Sequence, residues 1–376
     1  MRELVSWLRE LREEIQNSTS QDPALLDNTY KRVAYPRIEP LHGPGFLRFQ
    51  GLEHYHRPGH GPESLSLIQT VQARREQDPG IGEEDALNRQ IGAVLALSLD
   101  RSVEVPSERP YPLSGSTRTA FIPLNAAHDR ILHAPISDVD DVNLKFEEVA
   151  GKFCSIEDSG DLVALGAATE MHYGACSIYK TSMPSAYVLA VGALETLSAR
   201  FGDPHSEWSH WERSTRWDEV IDDLALTSAQ AESIRAELMR DRQVRLGQRF
   251  AAYVMQGFES RDWLSNWKEW TWGYDGSTGE PNGGEWTAVD MNPQIPSDEG
   301  RLWRAIKKTY EARSKFVHSG SDDLAIHRDM QRQVQNNEGA QALPFTVIRA
   351  LLARSILREL DELSSPEVLP RVIGEL

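Results

Sequence analysis

The sequence predicts a mainly α-helical protein, with a helical bundle in its second half and a mixed α/β or irregular region before it. Three observations carry this expectation. Apolar residues recur at helical spacing over much of 161–363. The segment 184–201 is apolar nearly all round, so it belongs at the centre of a bundle. Residues 18–80 are rich in Pro, Gly and His and show little periodic pattern.

At 376 residues, 40% hydrophobic and 26% charged, the chain can bury a core without disulfides or metals. That length allows two parts. Residues 1–160 read as a mixed N-terminal region, a candidate sensor or partner-binding unit, and 161–376 as an α-helical domain with a Trp-rich insertion at 263–300. A net charge of -17 argues against a general nucleic-acid coat but leaves room for a local basic site. No apolar run reaches the ~18 residues of a spanning helix, so no membrane partner is expected. The start, MRELVSWLRELREEI, carries charges in every turn, unlike a signal peptide. Cys154 and Cys176 cannot make a disulfide framework, which fits a cytoplasmic protein with reduced thiols.

In chain order, 1–17 place Leu4, Leu8, Leu11 and Ile15 on one side of a short amphipathic helix, which docks either on the body or on a partner. A helix is expected over 83–99, with Leu87, Ile91, Val94, Leu95 and Ser98 along one side. Three prolines within 104–118 mark an irregular crossing. Over 161–180, Leu162, Leu165, Thr169, His172, Cys176 and Tyr179 form a helical seam, with Gly166 and Gly174 allowing close approach. Pro184 starts the central helix. Thr227 and Gln230 make a capping box for a long helix to about Phe258. A helix runs from Gly300 to about His318, stopped by Gly320, and a last one covers 346–363. Five helices with inserted connections make the bundle.

Two clusters invite other readings. His42, His54, His56 and His60 lie within 19 residues, but no cysteine and no well-placed acid other than Glu53 completes a metal set. Loop histidines without a metal are the better reading, and neither metal nor cofactor is expected. The insertion holds Trp263, Trp267, Trp270, Trp272 and Trp286. Aromatic faces can stack bases, but the spacing of the first three favours a packed helical face or an interface over RNA stacking.

The sharpest local signal is KKTYEARSKFVHSG, residues 307–320. On a helix Leu302, Ile306, Tyr310 and Val317 form an apolar stripe, and Arg313 falls in its middle. A guanidinium there is costly unless it is paired or faces a polar cleft. The other face carries Arg301, Arg304, Lys307, Lys308 and Lys315 against one acid, Glu311. His318 lies in the last turn, near Ser314, where unpaired carbonyls favour a proton-carrying ring. Such a histidine beside an arginine suits phosphodiester chemistry, because RNA supplies its own 2′-hydroxyl nucleophile. Glu195, the one ionisable residue between Tyr187 and Ser198, is the candidate partner of Arg313. It either orients the arginine or forms a structural ion pair with it. The spacing Arg-x4-His also occurs at Arg37/His42 and Arg200/His205, so the helical and basic setting, not the spacing, selects Arg313 and His318.

The segment YEARSKFVHSG, 310–320, resembles the signature of the Apea-like branch of HEPN domains. AYVLAVGALETL, 186–197, resembles that family's glutamate-bearing core helix, and HYGACSIYKTSMP the helix and turn leading into it. The resemblance spans about 160–365. It implies a HEPN-like α-helical bundle, often a homodimer or higher homo-oligomer, with two Arg-x4-6-His motifs facing across the interface. It further implies a metal-independent endoribonuclease, of the kind that serves as a toxin or antiviral defence effector in abortive infection, with RNA as substrate and a regulatory protein or antitoxin as a further partner. By motif position, Arg313, His318, Ser314 and Glu195 would be catalytic, with Lys315, Lys307, Lys308, Arg304 and Tyr310 as RNA contacts. Other members bind nucleotides, RNA or proteins without cutting, which is the alternative expectation.

Overall fold

The segments that order this molecule are defined by where apolar side chains repeat along the chain. The computed structural model describes residues 48–55, 65–71, 81–100, 117–123, 131–132, 139–179, 181–202, 208–210, 213–240, 242–265, 267–274, 276–278, 281–290, 295–319 and 342–364, with Met1, Arg2, 4–6, Arg9 and Val103. The fold is mainly α.

Strands β1 (Arg48–Tyr55), β2 (Leu65–Val71) and β3 (Thr117–Pro123) form an antiparallel sheet in the order β1-β2-β3. Helix α1 (Ile81–Leu99) lies between β2 and β3 in sequence. Among the described residues, the first 160 are therefore mixed α/β. Alternation in LSLIQTV is the signal for β2, whereas in β1 the register slips between Gln50 and Leu52, where Gly51 makes a bulge that breaks the period. His54 sits on β1 opposite Ser66, so it is a strand residue and not a loop one. His42, His56 and His60 fall outside the described residues, as do Leu8, Leu11, Ile15, Arg37 and His205.

A two-residue strand β4 (Ile131–Leu132) and helix α2 (Val139–Ser155) follow. Then come α3 (Ser159–Ile178) and α4 (Met183–Phe201), packed side by side. Asp158 caps α3 through the Gly160 and Asp161 amides, and Pro184 occupies the first turn of α4. Leu162, Leu165, Thr169, His172 and Cys176 are buried on α3, and Tyr179 stacks on Phe345 with ring centroids 4.7 Å apart. Helices α5 (Ser214–Asp223), α6 (Ser228–Arg240) and α7 (Arg242–Gln256) come next. The capping box forms as expected. The Thr227 amide donates to Gln230 Oε1 at 3.1 Å, and the Gln230 amide to Thr227 Oγ1 at 3.4 Å. The long helix expected from there to Phe258 is instead two helices, and α5 adds another, so the five-helix bundle is an undercount.

The Trp-rich insertion corrects a second expectation. Trp267, Trp270 and Trp272 lie on β5 (Trp267–Tyr274) and Trp286 on β6 (Pro281–Val289), paired as a hairpin with Trp270 opposite Trp286. The helical-face reading fails because β5 and β6 pair across a short turn, and β4, from far earlier in the chain, pairs with β5. Packing does hold for the first two tryptophans. Trp263, in a 3-10 turn, and Trp267 are buried.

Helices α8 (Glu299–Ser319) and α9 (Phe345–Leu363) complete the bundle. Central α4 touches α3, α7, α8 and α9, as its nearly all-apolar surface requires. The buried apolar cluster is continuous across position 160, joining α1 and α2 to the helices after them. No described helix is long and apolar enough to cross a membrane.

Candidate functional site

Helix α8 is positioned by its capped start and by one buried hydroxyl. The Arg301 amide donates to Asp298 Oδ1 at 2.8 Å, which sets the first turn. Midway, Thr309 Oγ1 accepts the Leu343 amide at 2.8 Å, and the Leu343 carbonyl accepts Tyr187 Oη–H at 3.1 Å. The stretch before α9 thus clamps α8 to α4 through both of its polar backbone groups.

Along α8, Leu302, Ala305, Ile306 and Thr309 are buried. The buried line then continues toward Phe316, which packs against the core, and not to Val317, which is 48% exposed. Steps of three and four residues from Thr309 reach Arg313 and Phe316, leaving Val317 turned outward.

This register brings Arg313 onto α4. Its Nη2 lies 3.2 Å from Glu195 Oε2, with the two side chains 25% and 20% exposed. The arginine is therefore neither sealed in hydrocarbon nor fully solvated. Tyr310, one turn earlier, donates its hydroxyl to Glu195 Oε1 at 3.5 Å, a long contact. Its ring packs on Phe250 at 5.3 Å between centroids, and Gly247 leaves space beside it. Burial, then the Glu195 charge, raise the Tyr310 pKa above the usual phenol value, with Arg313 opposing. The phenol therefore keeps its proton at neutral pH and acts as donor. Arg313 Nε is buried and has no hydrogen-bond partner among the described residues.

The remaining candidates lie around this pair. Ser314 is half-buried, and His318 and Lys315 are exposed at the end of the helix. Lys308 is exposed and pairs with Glu311 at 2.9 Å. Arg304 is exposed with Nε donating to the Gly300 carbonyl at 3.2 Å, while Lys307 lies over the Trp303 ring at 5.9 Å. Tyr310, expected as an RNA contact, instead faces Glu195 and Phe250. Arg200 of the competing Arg-x4-His copy is taken up by Asp158 and Asp161. Among the described residues no group of three or more His, Cys, Asp or Glu is arranged to hold a metal ion.

Sequence reasoning missed a second polar cluster. His172 Nε2 lies 3.6 Å from Asp100 Oδ1 and 3.8 Å from Cys176 Sγ, and Arg349 Nε lies 3.4 Å from the same Asp100 oxygen. His172 and Arg349 are buried, and Asp100 reaches inward from a left-handed position (φ 47°) just past α1. Arg349, a charge inside the apolar run FTVIRALLARSIL, carried the same signal as Arg313. Burial opposes charge on His172, but Cys176 and Asp100 outweigh it and push its pKa up to about 9.

Compared with protein-family models, with curated proteins and with solved structures, the chain has no match.

Proposed function

We propose that this protein is a HEPN-like endoribonuclease that cuts RNA without a metal, at a site shared by two copies of the chain, and serves as a toxin or antiviral effector. The observation that carries this reading is Arg313: it is held by Glu195 at the bundle centre yet a quarter open to solvent, on the helix that also exposes His318. In this reading the ribose 2′-oxygen attacks phosphorus while a base takes its proton. The P–O5′ bond breaks as an acid protonates the leaving oxygen, giving a 2′,3′-cyclic phosphate and a 5′-hydroxyl. His318 performs one of these transfers, and a second copy facing it performs the other. Arg313 donates charge-assisted hydrogen bonds to the phosphorane oxygens as negative charge builds there. Glu195 orients the guanidinium, Ser314 and Lys315 touch the phosphate, and Arg304, Lys307 and Lys308 attract the backbone.

Incubating RNA in EDTA with wild type, Arg313→Ala and His318→Ala tests it. Cleavage by wild type alone is expected, and equal cleavage by all three removes these residues from the mechanism.

A second reading has its own support. Glu195 already neutralises Arg313, as in a bundle that binds RNA, a nucleotide or a protein without cutting it. That reading expects binding without turnover, unaffected by His318→Ala.

A further inference from the structure

The Arg313–Glu195 pair is incomplete in a particular way. Nε and Nη2 lie on one edge of a guanidinium, and a carboxylate normally fills that edge with two parallel hydrogen bonds. Here Glu195 Oε2 meets Nη2 at 3.2 Å, but its other oxygen, Oε1, takes the Tyr310 hydroxyl instead. The Nε–H beside Nη2 is left buried with no acceptor among the described residues. A buried charged donor without an acceptor is costly, so the open edge calls for a physical reason.

We infer that Tyr310 is a positioning residue: its hydroxyl draws Oε1 away from Nε, so that Glu195 does not close the fork and the Arg313 Nε–H stays available to an anionic ligand. The guanidinium is then gripped at one nitrogen and can swing its free edge toward a phosphate oxygen without first breaking a two-pronged pair. The ring of Tyr310, packed on Phe250, sets where its hydroxyl stands. The identity of the anion, an RNA phosphate, rests on the ribonuclease reading; the division of the two carboxylate oxygens does not.

Tyr310→Phe removes one oxygen and keeps the ring. With Oε1 released, Glu195 closes on both Nε and Nη2, so the variant should bind anions more weakly while melting no lower than wild type. The experiment follows the Nε–H resonance of Arg313 in full-length protein labelled with 15N-arginine, assigned by its loss in Arg313→Lys. In Tyr310→Phe that resonance should move downfield and exchange more slowly with water. In Tyr310→Phe/Glu195→Gln it should revert, because an amide has one oxygen and cannot close the fork. Affinity for a 2′-fluoro oligoribonucleotide, which cannot be cut, should fall about 3- to 10-fold in Tyr310→Phe. An unmoved Nε–H resonance, or a lower melting temperature with unchanged affinity, overturns the inference. If wild type itself ignores the oligonucleotide, the ribonuclease reading falls, and the resonance still decides the role of Tyr310.

Discussion

Glu195 and Arg313 form a partly buried ion pair, 3.2 Å long, between the central helix and the helix that exposes His318. Its energy separates two roles. A fully exposed pair contributes under ~1 kcal/mol, whereas breaking a fully buried one costs about 3–5 kcal/mol. With a fifth to a quarter of each side chain exposed, a coupling of about 1–2 kcal/mol is expected between these limits. A double-mutant cycle of Arg313→Ala and Glu195→Ala in urea measures it. A loss beyond about 4 kcal/mol in Arg313→Ala alone would mark the pair as structural and count against an arginine reserved for substrate.

His172 makes a pH prediction of definite sign. Its folded pKa is pushed up to about 9, above the 6.5 of an ordinary histidine, so the charged ring is bound more tightly in the folded state. The stability it contributes is complete below about pH 6.5 and is lost as pH rises through about 9. Asp100 and Cys176 face the ring, and Arg349 shares the Asp100 oxygen, so the charge balance of the cluster changes when the proton leaves. Melting temperatures of wild type and His172→Leu between pH 6 and 9.5 provide the check. The gap between wild type and variant should narrow toward high pH, and a constant gap would show that the ring is neutral throughout.

How much of this was legible before the structure depends on whether the signal was local. Helices α3, α4, α8 and α9 show an apolar period within their own residues, and each lies where that period places it. The Arg313–Glu195 pairing was legible because each is a lone charge on an otherwise apolar helix face. Arg349 carried the same signal and was passed over. The tryptophans misled because Trp263, Trp267 and Trp270 match a helical spacing, while β5 is held by partners from β4 and β6. The hydrogen bond from Tyr310 to Glu195 depends on the register between α8 and α4. No single-helix pattern contains that register.

The capping box offers a test of local sequence chemistry alone. Thr227 and Gln230 are exposed and satisfy each other's backbone amides at the start of α6. Thr227→Ala should cost about 1 kcal/mol, and Gln230→Ala less, because the threonine oxygen serves a helix amide that has no intrahelical partner. Equilibrium urea unfolding at neutral pH resolves both. Indistinguishable wild-type and Thr227→Ala curves would mean that water caps this helix equally well.

Salt dependence distinguishes an RNA surface from a basic face that only solvates α8. Each phosphate neutralised on a single strand steepens the fall of log affinity with log salt by about 0.7. Lys315 is exposed in the turn that holds His318, so Lys315→Ala should reduce that slope by about one contact. Lys308 pairs with Glu311, so Lys308→Ala should reduce it by less than one contact. Glu311→Ala frees Lys308 and should steepen the slope. Titrating a labelled 2′-fluoro oligoribonucleotide at several salt concentrations gives all three values. A slope that Lys315→Ala and Glu311→Ala both leave unchanged would place the nucleic acid elsewhere on the molecule, because neither the charge nor its release would then be felt by the phosphates.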